Sequence, residues 1–214
     1  MERLTLTFDN GPTPGVTDRV LDELGQRGLQ ATFFIVGEDL ARPGARELAE
    51  RAKQEAHWIG NHTMTHGVPL GERGIDDPGV QEIDDAERLL ADLAQPEKLF
   101  RPNGRGVVGR HLLSRDALQY LMANRFTVVL WSIYVADTKA PEGWVDRALQ
   151  AMASQDWSVL VAHDVASGAM DDLPRLLDSV LRSGVDIVQQ FPSYCLPLVC
   201  GRPGEGLDQI APPL

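Results

Sequence analysis

The sequence predicts an α/β protein built on a parallel sheet covered by helices. Three observations carry that prediction. Short runs rich in β-branched and aromatic residues alternate with longer segments whose apolar positions fall at helical spacing. The alternation recurs about six or seven times with short connections, as βα units require. The length, 214 residues and 23.5 kDa, suits one medium domain rather than two. A closed barrel and a doubly wound open sheet share this pattern, and alternation alone does not choose between them.

The elements follow in order. Arg3 to Phe8 alternates as a strand. Thr17 to Gln26 reads as a helix, with Thr17 as its N-cap and Gly28 as its stop. Ala31 to Val36 is β-branched and aromatic, hence a buried strand. Gly44 to Ala56 is helical, and His57 to Gly60 is a short strand. Val80 to Leu93 is helical, with Leu89, Leu90 and Leu93 on its apolar face. Leu99-Phe100 is a short strand, His111 to Ala123 a helix and Thr127 to Trp131 a strand. Pro141 to Met152 opens with proline near a helix start. Val159 to Val161 is a strand, Leu173 to Arg182 a helix and Val185 to Val188 a last strand. The expected organisation is one domain over 1–214, with a core of about 4–190 and a Pro- and Gly-rich extension over 191–214 that packs on the surface.

Composition removes several function classes. Apolar residues make up 43% and charged residues 24%, which argues against a mainly disordered chain. Twenty Lys and Arg stand against 31 Asp and Glu, a net charge of −11. That charge repels nucleic acid and anionic membrane, so neither is an expected partner. No apolar run approaches the roughly 18 residues of a bilayer span, and no secretory signal is visible, so the expected location is cytoplasmic. The two cysteines, Cys195 and Cys200, are expected as free thiols. Nothing in the sequence sets an oligomeric state.

In both parallel architectures chemistry sits at the C-terminal ends of the strands. Here those ends carry Asp9-Asn10-Gly11-Pro12, then Asn61-His62-Thr63-Met64-Thr65-His66, then Arg101, Asp137 and His163-Asp164. Stability alone does not call for carboxylate, imidazole and guanidinium groups at one rim. His62 and His66 are four apart, and on a helical turn they share one side and one metal ion. Zinc-type sites keep a position for water, and a nearby carboxylate can take its proton.

These segments resemble the motifs of the polysaccharide deacetylase family, the NodB homology domain. Thr7-Phe8-Asp9-Asn10-Gly11-Pro12 is similar to its first motif, His62-Thr63-Met64-Thr65-His66 matches its second, and Phe100-Arg101-Pro102-Asn103-Gly104 is similar to its third. Leu160-Val161-Ala162-His163-Asp164 is similar to its last, and the order is the family's. The resemblance implies an irregular (β/α) barrel with about seven parallel strands, and hydrolysis of a non-peptide carbon–nitrogen bond. The expected reaction is N-deacetylation of an N-acetylated amino sugar, on a small-molecule or oligosaccharide substrate. By the resemblance Asp9 is the general base, Arg101 holds it ionised and His163 is the general acid. His62, His66 and Asn10 hold a divalent metal, expected to be zinc, and a main-chain N–H near Asn103 faces the oxyanion.

Three departures qualify these expectations. Asn10 stands where the family has a second Asp, and a neutral carbonyl binds a cation less strongly than a carboxylate. A metal-independent hydrolase of a small amide and a silent carbohydrate-binding protein therefore stay open as alternatives. Asn103-Gly104-Arg105-Gly106 replaces the usual Pro and aromatic residue, leaving Trp131 and Trp144 as candidates to stack on a sugar, with core packing the plainer role for both. Asp137 comes later than the family's fourth-motif Asp. It either raises the pKa of His163 or caps the next helix. His57, His111, Trp58 and Trp157 are expected to be structural.

Overall fold

The computed structural model describes residues 2–74, 76–77 and 79–213. Strand β1 (Arg3–Asp9) lies at the centre of the sheet. Leu4, Leu6 and Phe8 join the main apolar core, while Thr7 and Asp9 on the alternate face meet Arg101 inside the barrel. Helix α1 (Thr17–Gln26) adds Val20, Leu21 and Leu24 to the same core. Next come β2 (Thr32–Ile35), α2 (Ala45–Gln54), β3 (Trp58–Asn61), α3 (Val80–Leu90) and β4 (Leu99–Phe100). Helix α4 (Arg115–Ala123), β5 (Thr127–Val128), β6 (Ile133–Tyr134) and α5 (Trp144–Met152) follow. Strand β7 (Trp157–His163), α6 (Leu173–Ser183) and β8 (Asp186–Val188) complete the alternation. Leu173, Leu176, Leu177 and Val180 of α6 are buried along one stripe. Each contributes about 1.5–3 kcal/mol relative to exposure.

The parallel run has the order β5-β4-β3-β2-β1-β7-β6, seven strands. Val129 to Ser132 connects its two ends. The Val129 N–H donates to Phe100 O (2.9 Å) on one side and the Ser132 N–H to Val159 O (3.1 Å) on the other. The chain itself thus closes the ring, which makes this an irregular (β/α) barrel and decides against the open sheet. Strand β8 runs parallel to Arg3–Thr5, so β1 has different neighbours along its length.

Several boundaries differ from expectation. The strand read as Thr127 to Trp131 stops at Val128, because the Leu130 N–H turns to Cys195 O (2.8 Å), and a second short strand, β6, follows. Helix α4 starts at Arg115 rather than His111, where Ser114 Oγ accepts the Ala117 N–H (3.1 Å). Thr17 is not a cap: the N-cap is Val16, and the Thr17 hydroxyl is engaged elsewhere. Strand β7 is longer than expected because all seven of its residues pair with β1.

After Phe191 the chain forms β9 (Leu198–Val199), β10 (Arg202–Pro203) and α7 (Leu207–Ile210). Strand β9 pairs antiparallel with β5, and Leu198, Ile210 and Ala211 are buried in a second core with Phe100, Leu121 and Phe126. Cys195 and Cys200 are free thiols. Among the described residues no helix is long and apolar enough to cross a membrane.

Candidate active site

Sheet register assembles the site. Asp9 ends β1 and pairs with His163, which ends β7. Asn61 ends β3 opposite Phe100, so His62 and Arg101 leave adjacent strand ends together. Residues far apart in the chain therefore meet on one rim, as the sequence predicts.

Arg101 is fully buried. Its Nη1 donates to Asp9 Oδ1 (2.8 Å) and Thr7 Oγ1 (2.7 Å), while Nε and Nη2 donate to Val129 O (3.3 Å) and Leu130 O (3.2 Å). Its guanidinium also lies 4.1 Å from the Phe34 ring centre. A buried cation this fully bonded is fixed in place. Burial pushes the Asp9 carboxyl upward, but Arg101, then His62 and His163, outweigh it and hold the group below its usual range. Asp9 Oδ2 lies 3.5 Å from His62 Nε2.

His62 Nδ1 is 2.7 Å from the Arg101 carbonyl, so Nδ1 carries the hydrogen and Nε2 keeps its lone pair. Burial, only partly opposed by Asp9, pushes the His62 pKa down to about 4. His62 is therefore neutral at pH 7, the form that ligates metal. The His66 ring centre is 4.8 Å away, and burial lowers its pKa as well. The two histidines do not sit on a helical turn. They flank a loop in which Thr63 (φ 68°) and His66 (φ 51°) are left-handed. Asn61 Oδ1 accepts the Thr63 N–H (2.9 Å), and Thr63 Oγ1 accepts the His66 N–H (3.1 Å).

Asn10 (φ 76°) lines the same cleft, and its buried Oδ1 has no hydrogen-bond partner. An orphaned carbonyl beside two neutral imidazoles fits a divalent cation, which takes one oxygen and two nitrogen donors. Among the described residues no three His, Cys, Asp or Glu side chains form such a group.

On the opposite side His163 Nδ1 is 2.7 Å from Asp137 Oδ1, and the His163 main-chain N–H donates to Asp137 Oδ2 (2.9 Å). Asp137 is fully buried and serves His163 rather than capping a helix. Burial alone depresses the His163 pKa. The Asp137 hydrogen bond and charge, helped by Asp9, outweigh burial and raise it above 6.5. Tyr134 meets the His163 ring edge-on at 6.2 Å. Asp164 is buried, and burial raises its pKa to about 6 although it accepts two hydrogen bonds.

The cleft between these groups holds about 320 Å³. Trp131, Tyr134, Pro102 and Val161 line it, together with Arg105, Thr138 and Lys139. A Cβ on Gly104 would lie 2.5 Å from Trp131 Cη2, and one on Gly106 (φ 82°) would overlap the Tyr134 ring. The glycines of the Asn103–Gly106 loop thus let two rings form the wall that the motif departure left in question. The Asn103 amide donates to Gly67 O (2.6 Å) and His66 O (3.2 Å), tying the histidine loop to the cleft. Tyr134, Lys139 and the partners of Asp164 are the contributors that sequence reasoning missed. Trp144 is core, donating to Ala169 O (2.7 Å), and Trp157 donates to Thr5 Oγ1 (3.0 Å) at the far end of the barrel. His111 Nε2 lies 3.2 Å from Gly104 O, steadying that loop from outside the cleft.

Asp, His and Arg side chains thus converge on the C-terminal rim of the barrel. The chain belongs to the polysaccharide deacetylase family, whose sequence profile matches residues 2–122. A peptidoglycan-N-acetylglucosamine deacetylase of Bacillus cereus is 28% identical over 180 residues, covering 83% of this chain and 62% of the relative. A chitooligosaccharide deacetylase of Bradyrhizobium is 32% identical over 162 residues, covering 74% of this chain and 69% of the relative. The solved peptidoglycan deacetylase PdaC of Bacillus subtilis superposes with a TM-score of 0.71 at 26% identity, over 87% of each chain. The chain thus spans less than two thirds of the first of these relatives.

Proposed function

We propose that this protein hydrolyses the N-acyl bond of an N-acetylated amino sugar, releasing acetate and a free amine. The observation that carries the reading is the pairing of Asp9 with His163 across β1 and β7, with their environments driving them to opposite protonation states. Asp9 stays ionised and is ready to accept a proton from water. Asp137 accepts from His163 Nδ1 and raises the His163 pKa, which favours the imidazolium, and that form carries a second hydrogen on Nε2 for the leaving nitrogen. Arg101 fixes Asp9 Oδ1, leaving Oδ2 for the water. Trp131 and Tyr134 offer ring faces to the sugar. His62, His66 and the Asn10 carbonyl hold a divalent cation, zinc in this reading. A cation held there would supply Lewis-acid help to the acyl oxygen and lower the pKa of a bound water.

The neutral Asn10 favours a second reading, in which the same base and acid hydrolyse a small amide without metal. One experiment separates the two. Acetate release from N-acetylglucosamine oligomers is measured with untreated, chelated and zinc-restored protein. Loss on chelation and recovery with zinc support the proposal, and full activity after chelation supports the second reading.

A further inference from the structure

Strand β7 ends in two residues with separate destinations. His163 lines the cleft. Asp164, 1% exposed, turns instead to the loop after β1. Its Oδ1 accepts the Gly11 N–H (3.0 Å) and its Oδ2 accepts the Thr17 hydroxyl (2.5 Å). Thr17 Oγ1 in turn accepts the Thr13 N–H (2.7 Å). A Cβ on Gly11 would overlap the Asp164 carboxylate, so the loop and the acid are fitted against each other.

The loop's amides can be followed one by one. The Asn10 N–H donates to Phe34 O (3.2 Å) and Pro12 has none. The Gly11 and Thr13 N–H groups both end on Asp164, one directly and one through Thr17. Asn10 meanwhile holds a left-handed backbone (φ 76°), one that asparagine tolerates better than most residues but that still costs energy outside glycine. Such a conformation persists only where its surroundings fix it.

We infer that Asp164 is a positioning residue: its buried carboxylate pins the Asn10–Thr13 loop and so keeps the Asn10 carbonyl on the cleft wall beside His62 and His66. The inference rests on the deacetylase reading with Asn10 as a cation ligand. A carboxylate suits this place because two donors converge on it from different elements. An amide accepts through only one of its two atoms and holds the loop less well.

The test compares Asp164→Ala, Asp164→Asn and Thr17→Val with the wild-type protein. It reads zinc affinity by calorimetry, kcat and KM for N-acetylglucosamine oligomers, the pH profile, and folding by circular dichroism. Asp164→Ala should weaken zinc binding by at least about tenfold and lower kcat by a similar factor. KM should change little, because Trp131 and Tyr134, the rings offered to the sugar, are not held by this loop. The alkaline limb of the pH profile should move down only slightly, because Asp164 adds less to the raised His163 pKa than Asp137, which still holds His163. Asp164→Asn and Thr17→Val should lose less, and they carry the test should Asp164→Ala not fold. Wild-type zinc affinity and kcat in all three variants would overturn the inference alone. So would a strongly displaced alkaline limb with unchanged zinc affinity, which would place the action of Asp164 on His163. A wild-type protein that binds no zinc and releases no acetate would overturn the deacetylase reading together with it.

Discussion

His57 and His62 flank the same strand, β3, at its opposite ends. Both are buried, and burial lowers the pKa of both. Their backbone partners make them different molecules. His57 Nδ1 accepts the Ala31 N–H (3.1 Å), so its hydrogen is on Nε2. His62 Nδ1 donates to the Arg101 carbonyl, so its Nε2 is a bare lone pair facing the cleft. A histidine becomes a ligand when a carbonyl holds its other nitrogen, and a structural tie when an amide does. The same contrast separates the two ends of the barrel. The C-terminal rim gathers Asp9, His62, Arg101 and His163, while Trp157 and Arg3 pack at the other end.

Exchanging the two histidines for alanine gives the sharpest test of this contrast. His62→Ala should abolish zinc binding and lower acetate release by two orders of magnitude or more, about what a ligand or its orienting shell supplies. His57→Ala should leave kcat within error. It strands the buried Ala31 N–H, at a cost of about 1–3 kcal/mol, and for a chain of this size the melting temperature falls by several degrees. Calorimetry and thermal melts on both variants check the crossing. Loss of zinc binding in both, or in neither, would break the comparison.

A smaller effect separates the two sides of the rim. His163 owes its raised pKa to Asp137, and the reaction needs His163 protonated. Activity is therefore present below the folded pKa of His163 and lost as pH rises through it. Asp137→Asn removes the charge, lowers that pKa and moves the alkaline limb down by about one pH unit. The acid limb, set by protonation of His66, His62 and then Asp9, should not move. Rates measured across the pH range read both limbs at once.

Much of the site was legible because its residues sit in short contiguous motifs at strand ends. Asp9-Asn10, His62 with His66, Arg101 and His163 needed only the βα alternation to be placed on one rim. What escaped was set by tertiary partners. Strand β6 has two residues and no period to read, so Tyr134 stayed hidden until its pairing with Val161 placed it. Asp164 and Gly11 are 153 residues apart, and nothing local to either names the other. Asp137 lies in an irregular segment whose direction depends on that same β6–β7 pairing, which left its role open between two readings. The tail was misjudged in detail because Leu198 and Ile210 look like isolated apolar residues among Pro and Gly, yet they complete the second core.

The central claim is that Asp9 is the base of an amide hydrolysis at this rim. The direct measurement is acetate release from N-acetylglucosamine oligomers by wild-type protein and by Asp9→Asn at neutral pH, with both shown to be folded by circular dichroism. The account predicts release by the wild type and a loss of about 10²- to 10⁴-fold in the variant. Equal turnover by the two folded proteins would contradict it.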